Sequence, residues 1–291
     1  MAIGVILLPM LANYHTHSEF CDGRISAAEM AEAAYAAGFA VLGFSSHAPL
    51  PFQTEWTMEP DKLADYVRTI RALGEAYHGR MEILLGLEID YIDGLCGPSD
   101  GRFDRLGLDY VIGAIHHVRP PRLGDDALAT VDDGQDSFDA LISQGYDNNT
   151  SALVEDYYKA ATACIKAGGF DIFGHFDLIR KNNPNMSRFR EDTVHYKAAA
   201  MSTVDALTGT DIIVEINTGG MARGKLSTPY PAAWILKELK LRNVDICLNS
   251  DAHASAHLLA YRDAGLQAAA EAGYDSLTII TAKGRERVPL E

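Results

Sequence analysis

The sequence is short of positive charge, of paired cysteines and of long apolar runs. Its 291 residues carry 25 lysines and arginines against 40 aspartates and glutamates, a formal net charge of −15. So acidic a chain repels a phosphate backbone over its surface as a whole, which excludes binding of long nucleic acid through a basic face. A small anionic partner is still allowed where positive charge is concentrated locally. The four cysteines, Cys21, Cys96, Cys164 and Cys247, are scattered singly with no Cys-x-x-Cys pair. They read as reduced thiols of a cytoplasmic protein. No stretch approaches the roughly 18 to 20 apolar residues of a membrane-spanning helix, so no membrane partner is expected. The apolar stretch Gly4 to Leu11 has no basic segment before it and no small-residue cleavage site after it. It reads as a strand rather than a secretory signal.

What is present is the composition of an ordinary globular protein, 47% hydrophobic and 22% charged. Short apolar runs recur, each followed by a polar cluster and then a helical pattern. Strands are predicted at 5–14, 40–44, 82–87, 110–115, 171–174, 212–216 and 245–248. Ser26-Ala-Ala-Glu29 is a capping box and Gly38 stands where a helix ends. Further helices are read at 60–77, 152–167, 191–207, 231–241 and 257–272. Strands alternating with helices imply an α/β chain with parallel pairing, and no linker divides residues 1–291, which predicts one domain. Residues 118–150 break the alternation, being rich in Asp, Gly and Pro, and are expected to form a flap or insertion loop. The stretch Pro49 to Glu59, with Phe52 and Trp56, is a second candidate wall.

Histidines and carboxylates fall at the strand ends. His15 and His17 end the first strand, His47 follows the second, Glu88 the third, His116 and His117 the fourth, and His175 the fifth. The sixth strand ends in Glu215-Ile-Asn217, and Asp251 and His253 follow the seventh. In a barrel of parallel strands these ends converge on one mouth, where such folds place their chemistry. His-x-His on a strand turns both imidazoles to one face, because side chains alternate with period two. Imidazole and carboxylate together suit Zn, Fe or Mn, and a carboxylate bridges two ions. His78 and His195 lie in helical stretches and read as surface residues, and His257 is left out of the cluster. Only one of His116 and His117 is expected to face the mouth.

From His15-Thr-His17 to Asp251-Ala-His253, in order, these residues resemble the polymerase and histidinol phosphatase (PHP) superfamily over nearly the whole chain. The resemblance implies a distorted (β/α)7 barrel, similar to a TIM barrel, with three divalent metal ions (Zn, Fe or Mn). Carried over residue by residue, it implies that His15, His17, Glu88 and Asp251 hold the first ion. Glu88 would bridge to a second ion held by His116 and His175, and Asp22, His47 and His253 would hold the third. The aspartate at position 22 is similar to the branch that hydrolyses histidinol phosphate. Ser46 departs from the pattern, since many members have an acidic residue before the histidine that corresponds to His47.

The same branch implies that Arg180 and Arg223 hold the substrate phosphate, a task suited to a planar guanidinium. The expected reaction is metal-dependent hydrolysis of a small phosphate monoester, L-histidinol phosphate, to L-histidinol and phosphate. In that reaction Glu88 and Asp251 serve catalysis through the ions, and His117 contacts substrate or protonates the leaving alkoxide. Asp125, Asp126, Asp132 and Asp133 of the flap could receive the cationic end of the substrate. The rival readings are cleavage of nucleotides or other small phosphoesters, a TatD-like or amidohydrolase-like metal hydrolase, and a non-catalytic metal-binding module.

Overall fold

The computed structural model describes residues 10–290. Seven strands form one parallel sheet: β1 (Leu11–Asn13), β2 (Phe39–Phe44), β3 (Glu82–Asp90), β4 (Tyr110–Ala114), β7 (Ile172–Phe173), β8 (Ile213–Asn217) and β9 (Ile246–Asn249), paired in that order. The seven predicted strands are therefore all present, although residues 5–9 of the first lie outside the described part. Helices α1 (Ala27–Ala36), α2 (Leu63–Tyr77), α4 (Thr150–Ala167), α5 (Val194–Leu207), the one-turn α6 (Gly219–Ala222) and α7 (Ala233–Leu241) lie between them, and α8 (Arg262–Glu271) follows β9. The α1 cap is the reciprocal pair expected of Ser26 and Glu29, and Gly38 takes the left-handed backbone, φ 86°, that ends it.

The sheet curls into a nearly closed, distorted TIM-like barrel, and its seam is irregular. Between β1 and β9 the side-chain amides stand in for a ladder. Tyr14 N–H donates to Asn249 Oδ1 at 2.8 Å and Ser250 N–H to Asn13 Oδ1 at 2.7 Å. Beyond them Thr16 and Ala252 make a parallel bridge, with His17 N–H on the Ala252 carbonyl. Inside, each strand contributes one residue to an apolar layer: Ala12, Val41, Leu84, Ile112, Ile172, Ile213 and Cys247. Two residues further along β3, β8 and β9 the same face carries Gly86, Glu215 and Asn249, and Glu88, Asn217 and Asp251 follow. The apolar layer thus gives way to polar side chains toward the C-terminal mouth. Tyr110 fills the space between: a Cβ at Gly43 or Gly86 would come within 2.7 or 2.5 Å of its ring.

Three sequence expectations need correction. Residues 118–150 are a packed insertion rather than a free flap. A short hairpin, β5 (His117–Val118) with β6 (Ala129–Thr130), leads to α3 (Gln135–Ala140), and Val131, Phe138, Leu141 and Ile142 are buried in the main core. Phe138, Leu141 and Ile142 sit at helical spacing, so the segment buries one stripe while Asp125, Asp126, Asp132, Asp133 and Asp147 occupy turns and bends. The helix expected over 257–272 starts only at Arg262, because Tyr261 adopts a left-handed backbone, φ 58°. A C-terminal hairpin escaped the reading: β10 (Ser276–Thr281) and β11 (Gly284–Pro289) close the lower end of the barrel, where Tyr14 Oη bonds both N–H and C=O of Ile280.

Candidate metal centre

The bridge between Thr16 and Ala252 brings the His15–His17 segment against Asp251 and His253. A second bridge, between His47 and Glu88, sets those two side by side at the ends of adjacent strands. As a result the nine residues His15, His17, Asp22, His47, Glu88, His116, His175, Asp251 and His253 all fall into four overlapping groups, His17–Asp22–His47–His253, His15–Glu88–His175, His15–His17–Asp251 and His47–Glu88–His116. Within each group the ligand atoms lie within 4.8 Å of one another.

Glu88 is the hub, and its two oxygens face different neighbours. His15 Nε2, His17 Nε2 and His47 Nδ1 lie 3.1, 3.6 and 2.8 Å from Oε2. His116 Nε2 and His175 Nε2 lie 3.5 and 2.9 Å from Oε1. At the outer side His253 Nε2 is 3.1 Å from Asp22 Oδ2. Several rings are anchored from behind. His15 Nδ1 is 3.0 Å from both oxygens of Glu215, His116 Nδ1 is 2.7 Å from Asp90 Oδ1, and His253 Nδ1 is 3.0 Å from the Asp251 carbonyl. A neutral ring that gives its Nδ1 proton away in this manner presents Nε2 as a lone pair to the mouth. Asp251 itself holds a left-handed backbone, φ 49°, of the kind stored at functional sites.

Close contact here is not satisfaction. Among the described residues, His15 Nε2, His17 Nε2, His47 Nδ1 and Glu88 Oε2 are buried with no hydrogen-bond partner, although each lies near another, because they point at a common focus rather than along a donor–acceptor line. Buried polar atoms left this way are costly, and a cation at their common focus resolves them. The nitrogen and carboxylate donor set fits Zn, Fe or Mn.

Charge within the cluster is strongly coupled. Burial depresses the His15 imidazole, but Glu215, Glu88 and Asp251 outweigh it and hold it well above the ordinary histidine value. His116 is likewise opposed by burial and lifted by Asp90 and Glu88 to about 10. His17 goes the other way, to about 3, through burial and the neighbouring His253 and His47. Glu88 resists burial and stays far below the usual carboxylate range because His47, His15 and His116 surround it.

The groups open on a cavity of about 290 Å³ whose wall includes Arg24, Trp56, Asp132, Lys181, Arg223 and His257. Of the two arginines expected to hold phosphate, only Arg223 borders it. Arg180 does not: it is buried, with Nε on Glu191 at 2.9 Å and its Nη atoms on Asp177 at 3.1 Å and Thr228 at 3.0 Å. Those partners consume its fork from the inside, and the next residue, Lys181, reaches the cavity instead. His117 also points elsewhere, its Nδ1 on Asp90 Oδ2 at 2.8 Å and its ring lining a separate cavity of about 200 Å³. Of the flap aspartates, Asp132 and Asp133 border the main cavity, while Asp125 and Asp126 do not. Asp90, Arg24, Lys181 and His257 were not picked out as site residues from sequence. The Glu88-Ile-Asp90 spacing, which puts both carboxylates on one strand face, was the available signal for Asp90.

Residues 13–219, well over half of the chain, match the PHP domain. The chain belongs to the PHP domain family. Relatives of this PHP protein include the histidinol-phosphatase of Bacillus subtilis, 26% identical over 82% of this chain and 92% of that one. A Deinococcus radiodurans protein named "Probable histidinol-phosphatase" is 27% identical over 84% of this chain and 86% of its own. Among solved structures, the histidinol phosphate phosphatase of Lactococcus lactis, complexed with Zn, L-histidinol and phosphate, covers 94% of this chain and 98% of its own. It superposes with a TM-score of 0.70 at 20% identity, which supports the distorted barrel. Among the described residues no helix is long and apolar enough to cross a membrane.

Proposed function

We propose that this PHP protein is a metal-dependent phosphatase that hydrolyses L-histidinol phosphate to L-histidinol and phosphate, as a cytoplasmic step of histidine biosynthesis. The observation that carries this reading is the convergence of six imidazoles and three carboxylates with Glu88 as their hub, its two oxygens facing different histidines. In it His15, His17, Glu88 and Asp251 hold one divalent ion, Glu88, His116 and His175 a second, and Asp22, His47 and His253 a third, the metals being Zn, Fe or Mn. Ions held there supply Lewis acidity, polarising a phosphoryl oxygen and bringing water toward hydroxide near neutral pH.

The chain's own residues supply the rest. Arg223, with Lys181 and Arg24 on the same wall, gives positive charge to a phosphate in an otherwise acidic molecule. Asp132 and Asp133, which line the same cavity, attract the cationic amino alcohol, and Asp132 is partly neutralised by Lys181 at 3.0 Å. Trp56 and the packed insertion limit water at the reacting centre. The names of the relatives agree with this substrate.

A phosphate-release screen over histidinol phosphate, other monoesters and nucleotides, with Mn, Fe or Zn supplied, tests it. Turnover of histidinol phosphate in preference to the others is expected. Activity on nucleotides with none on histidinol phosphate would replace the substrate by a small nucleotide.

A further inference from the structure

Asp90 ends β3 and pairs in register with Ala114 of β4, which places its carboxylate beside the two imidazoles that follow that strand. Oδ1 accepts from His116 Nδ1 at 2.7 Å and Oδ2 from His117 Nδ1 at 2.8 Å. All three side chains are buried. From this shared anchor the rings diverge. His116 turns Nε2 toward Glu88 Oε1 at 3.5 Å, while His117 stacks on Trp56, ring centroids 5.9 Å apart, and faces the second cavity.

Two Nδ1–H donors therefore meet one side chain that has no donor of its own. A carboxylate satisfies both, since it is acceptor-only with two oxygens, whereas an amide of the same shape offers one acceptor and one NH2. With an amide there, the NH2 must face one ring, and that ring is satisfied only if its proton moves to Nε2. If the ring is His116, its lone pair no longer points at Glu88 and cannot ligate. We infer that Asp90 is a positioning residue that fixes the Nδ1–H tautomer of His116, and that His117 is what makes a carboxylate obligatory there. The inference rests on the reading of His116 as a metal ligand.

Mn affinity and ion content, measured on Asp90→Asn, His117→Ala, the double variant and His116→Ala, test it. Asp90→Asn is expected to weaken one ion by about 10–100-fold. His117→Ala keeps wild-type ion content, and the double variant regains most of what Asp90→Asn loses, because the single amide oxygen is then free for His116. A double variant as weak as Asp90→Asn, or an Asp90→Asn protein that binds like wild type, overturns the inference. Loss of nothing in His116→Ala overturns the ligand set instead, so the two failures are separable. If Asp90→Asn does not fold, 15N spectra of the wild-type imidazoles decide: Nδ1–H is expected for both rings in the loaded protein, and Nε2–H at His117 together with an untethered Nδ1 at His116 refutes it.

Discussion

Arg223 grips Asp251 twice, one guanidinium nitrogen donating to Oδ2 at 2.8 Å and the other to the carbonyl oxygen of the same residue at 3.0 Å. The arginine expected to hold phosphate is thus also a brace for a candidate ligand. Its replacement by Ala should act on both: KM for the phosphoester rises, and one ion is bound about 10–100-fold more weakly, as when outer partners of ligands are removed. Lysine at this position keeps the charge but loses the fork, so Arg223→Lys should recover KM more than it recovers ion affinity. Steady-state kinetics at saturating metal, beside metal titrations, separate the two effects. An unchanged ion affinity in Arg223→Ala would remove the bracing role.

Gly219 leaves room for this brace. A Cβ there would stand 2.8 Å from both Cβ and Oδ2 of Asp251 and 2.9 Å from Arg223 Nη2. Neither neighbour yields easily, since each holds the other. Gly219→Ala should therefore cost about 1–3 kcal/mol of stability through overpacking and lower activity by at least about tenfold through misplacement of Asp251. Gly134→Ala is the control, because nothing among the described residues lies within 4 Å of its added carbon. Thermal unfolding and phosphate release on both variants check the contrast, and equal behaviour would contradict it.

Arg180 makes the opposite prediction. Buried against Asp177 and Glu191, it should matter to stability rather than to substrate. Arg180→Ala leaves Asp177 uncompensated, a loss of about 3–5 kcal/mol for a broken buried pair. The folded enzyme that remains should keep its KM. A large rise in KM with little change in urea midpoint would restore the phosphate-holding role that the resemblance implies.

The contrast between Arg180 and Lys181 shows where the sequence stops being readable. Both follow His175 closely, and a short 3-10 helix over Leu178–Asn182 decides which of the two turns inward. Local sequence carries no signal for that rotation. His15, His17, Glu88 and Asp251 were legible because period two along a strand and the convergence of parallel strand ends follow from chain geometry alone. Asp90 was not singled out because its role depends on the register of β3 with β4 and on the break between β4 and β5, at which the adjacent imidazoles part. The packing of the insertion is hidden from the sequence for a related reason. Its Asp and Gly residues dominate the composition, while the few residues that pin it, such as Val131 and Phe138, bury themselves in a core assembled from α4 and β7.

Metal loading should expel protons. Without ions, burial works against charge on His15, His47 and His116, but the surrounding carboxylates outweigh it and raise all three, His116 to about 10. Near pH 7 the metal-free protein therefore carries a proton on His116, and ligation requires its release. The sign follows from the raised values. Protonated His116 stabilises the metal-free fold fully below its unfolded value of 6.5, and that contribution is lost as pH rises through about 10. Ion affinity should climb over the same interval, so the gap in melting temperature between loaded and metal-stripped protein widens with pH. Calorimetric titration of Mn into stripped protein at pH 7, in buffers of different ionisation enthalpy, should show protons released per ion bound. Heats independent of the buffer would mean that the imidazoles are already neutral before metal arrives.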